Sequence, residues 1–131
     1  MLVVVGPTAA GKSAIAEQLA ESYSGELVSA DALQVYRGLD IGTAKPTAST
    51  RQRLAYHCID YLDPVQRCSA GTYAVTAWQA IHQIRARGRL PILVGGSGFY
   101  VQAVVEGLDE APPSDAVWRD TLRRLADRRG I

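Results

Sequence analysis

The feature that most constrains this chain lies at its start. An uninterrupted apolar run, Leu2-Val3-Val4-Val5, leads directly into Gly6-Pro7-Thr8-Ala9-Ala10-Gly11-Lys12-Ser13, and a stretch of helical spacing follows. The pattern GxxxxGK[ST] between a strand and a helix is the context in which backbone amides cradle phosphate. Gly6 and Gly11 admit backbone conformations that side chains block. The loop amides then turn inward as an anion nest, and the helix N-terminus adds the positive end of its dipole. Lys12 brings a mobile charge to phosphate oxygens, and Ser13 offers a hydroxyl to a magnesium ion. Such a chain is expected to bind a di- or triphosphate, which leaves open what it does with it.

The remaining pattern predicts alternating strands and helices. A fully apolar run such as residues 2–5 suits a central parallel strand covered on both faces. Ile15, Leu19 and Tyr23 fall at steps of four and predict a helix that Gly25 ends. Leu27-Val28 predicts a second strand leading into Asp31. From Asp31 to Pro46 periodicity fades and Gly38, Gly42 and Pro46 intervene, which reads as a long functional loop. Residues 47–55 read as a short helix and 57–62 as a strand that Asp63-Pro64 closes. Ser69 is an N-cap for a helix with Tyr73, Ala74, Ala77, Trp78, Ile81 and Ile84 on one face, ending near Gly88. Residues 90–94 form a further strand, stopped by Gly95-Gly96, and Ser97 or Gly98 opens a helix through Val105. Pro112-Pro113 makes a rigid break. Ser114 is then an N-cap candidate for a last helix with Val117, Leu122, Leu125 and five arginines. This alternation indicates α/β architecture with a mainly parallel sheet.

At 131 residues the chain fits one domain. A net charge of +1 does not mark the molecule as a whole for nucleic acid. The twelve arginines face only two lysines, Lys12 and Lys45, so each lysine raises a question about its role. Cys58 and Cys68 form no CxxC pair and fit no zinc spacing, which reads as two reduced thiols in a cytoplasmic protein. No apolar stretch is long enough for a signal or a membrane span.

Several residues carry a chemical and a plainer reading side by side. Asp31, at the carboxyl edge of the sheet where α/β folds place ligands, is a candidate general base, a magnesium ligand through water, or a capping residue. Gly95-Gly96-Ser97-Gly98 suits close approach of a ligand to backbone, or a tight turn. His57 and His82 have no evident partners and read as structural or surface residues, and Trp78 reads as core. Arg119, Arg123, Arg124, Arg128 and Arg129 share one helix, either as a solvated face partnered by Asp120 and Asp127 or as a phosphate-contacting helix.

Four blocks in order resemble the opening of the tRNA dimethylallyltransferases, also called the IPP transferase family. They are the phosphate loop; Ser29-Ala30-Asp31-Ala32-Leu33-Gln34-Val35-Tyr36-Arg37-Gly38-Leu39-Asp40-Ile41-Gly42-Thr43-Ala44-Lys45-Pro46; Tyr56-His57-Cys58-Ile59-Asp60-Tyr61-Leu62-Asp63-Pro64; and Gly88-Arg89-Leu90-Pro91-Ile92-Leu93-Val94-Gly95-Gly96-Ser97-Gly98-Phe99-Tyr100. Ala32 departs from the family's usual Ser, and Ser97 stands where Thr is usual.

The resemblance implies an α/β, P-loop NTPase-like three-layer fold, with residues 1–110 forming the catalytic core and 111–131 beginning a helical tRNA-binding insertion. The family is usually at least twice this length, so the core is expected to be incomplete here. The implied reaction moves a dimethylallyl group from dimethylallyl diphosphate to the exocyclic N6 amine of the adenine 3′-adjacent to the anticodon in tRNA. Residues 6–13 would hold the diphosphate, with Ser13 on Mg2+ and Lys12 on the leaving group. Asp31 would take a proton from, or orient, the amine. Asp31, Ala32, Leu33, Gln34, Ser97 and Arg119 would contact the anticodon stem-loop of a tRNA bound by a cytoplasmic monomer. A nucleotide-binding, ATP-dependent P-loop kinase, a transferase acting on free adenylates, and an inactive phosphate-binding fragment are the competing readings.

Overall fold

The computed structural model describes residues 1–108 and 115–130. Four strands form one parallel sheet: β1 (Leu2–Val5), β2 (Gly25–Ser29), β3 (Tyr56–His57) and β4 (Leu90–Gly95), in the order β1-β4-β2-β3. Between them run α1 (Lys12–Ser22), α2 (Ala48–Arg53) and α3 (Ala70–Ala86), and α4 (Gly98–Val105) and α5 (Ala116–Arg129) follow. The register pairs Leu27 with Ile92 and Val28 with Leu93. Because successive strand residues face opposite ways, Leu27, Ile92 and Val94 pack with Ala16 and Ala20 of α1 on one face. Val28 and Leu93 pack with Tyr73, Ala77 and Ile81 of α3 and Ala103 and Val104 of α4 on the other. Helices on both faces of a parallel sheet give the three-layer α/β architecture expected from the sequence.

The strands end on the side that matters chemically. Parallel strands direct all their carboxyl ends to one edge, and residues 6–13, Asp31 and Gly96 leave β1, β2 and β4 there. Ser69 caps α3 as predicted. It accepts from the Thr72 amide, while Thr72 Oγ1 accepts from the Ser69 amide, a reciprocal capping box.

Four expectations are corrected. First, among the described residues β1 pairs only with β4, and Leu2, Val3 and Val5 are 39%, 40% and 56% exposed, so the described residues do not cover both faces of β1. An apolar run marks a strand without fixing its place in the order. Second, α1 buries Ala16 and Ala20, while Ile15 and Tyr23 face solvent. The helix sits close to the sheet on small side chains: a methyl on Gly25 would lie 3.3 Å from the Ala20 Cα. Third, the strand expected over 57–62 ends at His57, because Cys58 and Asp60 take left-handed φ of 61° and 54°. The chain then runs beside residues 34–37 through a single bridge, Tyr36 to Leu62. Fourth, His57 has a partner. Its Nε2 lies 2.7 Å from Oε2 of Glu26, a carboxylate 6% exposed that Arg87 also binds at 2.7 Å.

Pro112-Pro113, Ser114 and the expected boundary between residues 110 and 111 lie outside the described residues. Asp115 caps α5, accepting from the Val117 and Trp118 amides. Val117, Trp118, Leu122 and Leu125 on this helix are exposed, and Arg124 pairs with Asp120 at 2.7 Å, as a solvated face would. Trp78 is half-buried against the α3 core with its ring beside the exposed His82. Among the described residues no helix is long and apolar enough to cross a membrane.

Candidate functional site

Residues 6–13 form a loop from β1 into the first turn of α1. Gly11, at φ 78°, turns the chain into α1, and no side chain caps that helix, so its first-turn amides are not taken by a capping side chain. A side chain at Gly11 would be held in the left-handed region, which costs strain in any residue with a Cβ. Lys12 Nζ donates to the Pro7 carbonyl at 2.6 Å, folded over its own loop.

A cavity of about 500 Å3 opens in front of this loop. Thr8, Ala9, Gly11, Lys12 and Ser13 line one side. Asp31, Gln34 and Lys45 line another, and Gly95 and Gly96 border it from β4. Gly6, Pro7 and Ala10 shape the loop without lining the cavity. Ala32, Leu33 and Ser97 adjoin Asp31 outside the lining, and Arg119, on α5, does not line the cavity.

Asp31 is held in one orientation by its own turn. Its Oδ1 accepts from the Leu33 amide at 2.8 Å and the Gln34 amide at 3.2 Å, and among the described residues Oδ2 has no hydrogen-bond partner. The turn is anchored from beneath. Tyr73, stacked on Tyr100, donates its hydroxyl to the Ser29 carbonyl at 2.8 Å. The Ser29 hydroxyl donates to Gln34 Oε1 at 2.8 Å.

Gln34 Nε2 in turn donates to the Thr43 and Ala44 carbonyls at 3.0 and 3.1 Å. Both ends of this carboxamide are therefore engaged within the protein, and its job here is to hold the loop. Ser97 grips the other side: its amide donates to the Ala30 carbonyl, and its Oγ accepts from the Ala32 amide. Gly95 lets β4 pass this close, since a methyl there would overlap the Ala30 carbonyl oxygen and come within 2.8 Å of the Ala30 Cα.

Three features of the site were given no role by the sequence. Glu17, one helical turn beyond Ser13, also lines the cavity and accepts the Tyr56 hydroxyl at 2.8 Å. Burial, reinforced by this carboxylate, raises the Tyr56 phenol above its ordinary range. The helical i, i+4 spacing from Ser13 was the available signal for Glu17. The third feature is Lys45, whose side chain is 3% exposed and whose ammonium meets Asp60 at 2.6 Å, Asp40 at 2.9 Å and the Tyr36 carbonyl at 2.7 Å. Its burial would pull the ammonium's pKa down, but the bonds to Asp60 and Asp40 outweigh that and raise it.

No three metal-ligating side chains cluster among the described residues. A divalent ion in this cavity would hold one protein hydroxyl, from Ser13, and take its other oxygens from phosphate and water, as magnesium commonly does.

A family model for IPP transferases matches residues 34–131. The chain belongs to the IPP transferase family. Its similarity to individual members extends through the phosphate loop as well. It is 53% identical over 122 residues to the tRNA dimethylallyltransferase of Halorhodospira halophila, covering 93% of this chain and 39% of that protein. It is 48% identical over 130 residues to that of Sorangium cellulosum, covering 99% and 41%. Among solved structures, the full-length tRNA isopentenylpyrophosphate transferase of Bacillus halodurans matches with a TM-score of 0.80 and 41% identity, over 97% of this chain and 42% of its own. A eukaryotic dimethylallyltransferase acting on tRNA matches with a TM-score of 0.80 and 28% identity, over 93% and 31%. The IPP transferase chain described here thus spans about two fifths of the length of these curated relatives.

Proposed function

We propose that this chain is catalytic-core sequence of a tRNA dimethylallyltransferase, moving a dimethylallyl group from its diphosphate to the N6 amine of the adenine 3′ to the anticodon. The observation that carries this reading is the placement of Asp31 and the phosphate loop on two walls of one cavity, with one carboxylate oxygen left unbonded.

The chemistry follows from what these groups can do. Amides of residues 6–13 and the Lys12 ammonium hold the diphosphate and meet the negative charge that grows on it as the allylic C–O bond breaks. Ser13 would hold a magnesium ion, which would supply further positive charge beside those oxygens. The adenine amine is a poor nucleophile because its lone pair is delocalised into the ring. Its nitrogen forms the new bond to the allylic carbon, the C–O electron pair leaves with diphosphate, and Asp31 Oδ2 receives the amine proton. No covalent enzyme intermediate is needed. The target base has to leave the anticodon-loop stack to reach the cavity. Work on tRNA in this form fits a cytoplasmic setting.

The test measures transfer of labelled dimethylallyl from dimethylallyl diphosphate to an anticodon stem-loop, beside the affinity for magnesium diphosphate. Asp31→Asn is expected to lower transfer about 100-fold or more while leaving diphosphate affinity within about twofold. Lys12→Met is expected to weaken both. Release of phosphate from ATP with no prenyl transfer would replace this reading with the kinase one.

A further inference from the structure

The loop from residue 30 to residue 47 joins β2 to α2 without a helix or strand of its own. Loops of this length are rare inside compact folds unless they serve the site. Fixing each residue costs about 1–2 kcal/mol of conformational entropy, so specific bonds must hold it.

One side chain ties three separate parts of this region together. The Lys45 ammonium donates to Tyr36 near the start of the loop, to Asp40 near its middle, and to Asp60 beyond β3. Asp60 continues the connection to α2, accepting from Arg51 Nη1 at 2.6 Å. Three ammonium hydrogens meet three acceptors, and the side chain is 3% exposed. Lys45 therefore has no donor to spare for phosphate, although it borders the same cavity as Lys12.

The position of the Tyr36 carbonyl matters because of what precedes it. The Tyr36 amide donates to the Leu33 carbonyl at 3.2 Å, closing a turn. The amides of Leu33 and Gln34 in that turn orient the Asp31 carboxylate. We propose that Lys45 is a positioning residue: its three acceptors fix the turn over residues 33–36 whose amides aim Asp31 at the reacting amine. This rests on the transferase reading above. It assigns the protein's second lysine to geometry rather than to the diphosphate.

Two variants of opposite charge change test it. If Lys45 acted as a charge on the diphosphate, Lys45→Met would weaken magnesium diphosphate binding and Asp60→Asn would strengthen it. If it acts through position, both lower kcat by about tenfold or more and both leave the donor KM within about twofold. Both also speed amide exchange at residues 33–36 by about tenfold. Opposite shifts in diphosphate affinity, or unchanged exchange at these amides, overturn the proposal. Should Lys45→Met fail to fold, Asp60→Asn, which weakens the hold on the ammonium at its shortest contact, carries the test. A wild-type protein that transfers no prenyl group defeats the functional reading and the kcat consequence with it, and the exchange result then judges the Lys45 contacts alone.

Discussion

Ser97 brackets Asp31. Its amide donates to the Ala30 carbonyl at 3.1 Å and its hydroxyl oxygen accepts from the Ala32 amide at 2.9 Å, so the residues on either side of the carboxylate are tied to the start of α4. Ser97→Ala keeps the first bond and removes the second. A net hydrogen bond of this type contributes about 0.5–1.5 kcal/mol, so a loss of that size is expected in urea unfolding. Transfer should fall by more than the stability loss accounts for, because Asp31 loses its fixed placement. Ser97→Thr retains the hydroxyl and should keep both. Equal activity for the Ala and Thr variants would show that the bracket has no catalytic role.

Gly95 and Gly96 are adjacent but should respond in opposite ways. A methyl on Gly95 meets the Ala30 backbone, which cannot move without breaking the pairing of β4 with β2. Overpacking of this kind costs about 1–3 kcal/mol or more, and Gly95→Ala is expected to unfold at markedly lower denaturant. A methyl on Gly96 finds its nearest neighbours at 3.9 Å, the Gly6 carbonyl and Lys12 Nζ. Gly96→Ala should therefore fold normally, with any effect confined to diphosphate affinity, since its methyl only comes into ordinary contact with Lys12. Comparable denaturation midpoints for the two variants would contradict this reading of the β4 exit.

What the sequence made legible and what it hid follow from the range of the interactions. The Ser69 N-cap and the alternation of strands and helices are local patterns, and they were readable. The register of α1 was not, because Ala16 and Ala20 carry little hydrophobic signal while Ile15, Leu19 and Tyr23 carry much. The pairing of β1 with β4 was not legible, because composition marks a strand without naming its neighbour. Lys45 was noticed as a rare lysine, but its partners at Tyr36, Asp40 and Asp60 come together only in space. The pairing of His57 with Glu26 likewise depends on β3 lying beside β2. The left-handed backbone at Cys58 and Asp60, which cuts β3 short, has no glycine to announce it.

The loop-holding role of Gln34 is separable from any contact with RNA. Its carboxamide accepts from Ser29 and donates to Thr43 and Ala44. Gln34→Ala leaves the Ser29 hydroxyl and two carbonyls without these partners, and part-buried polar groups left so cost about 1–3 kcal/mol each at most. Faster amide exchange across residues 39–46 is expected, along with weaker stability. Gln34→Glu keeps the acceptor for Ser29 and sets a negative charge against the two carbonyls, so it should loosen the same segment. Unchanged exchange in both variants, with impaired RNA binding, would return Gln34 to a direct reader of the substrate.

Stability should decline on the acid side for reasons located in two carboxylates. Burial alone would raise the pKa of Glu26, but hydrogen bonds from Arg87 and then His57 outweigh it and hold the group below its ordinary 4.5. Asp60 behaves alike: burial raises it, and Lys45 and Arg51 bring it below its ordinary 3.8. A carboxylate with a depressed folded pKa contributes stability that is complete above its unfolded value and disappears as pH falls through its folded value. The urea midpoint should therefore be flat near neutrality and drop between about pH 5 and about pH 3. Glu26→Gln removes one of the two titrating groups, so it should start lower at neutral pH, having lost its charge-assisted bonds to Arg87. It should then fall less steeply as acid is added. A wild-type midpoint that stays level through this range, or a Glu26→Gln profile parallel to it, would mean that these ion pairs contribute no pH-dependent stability.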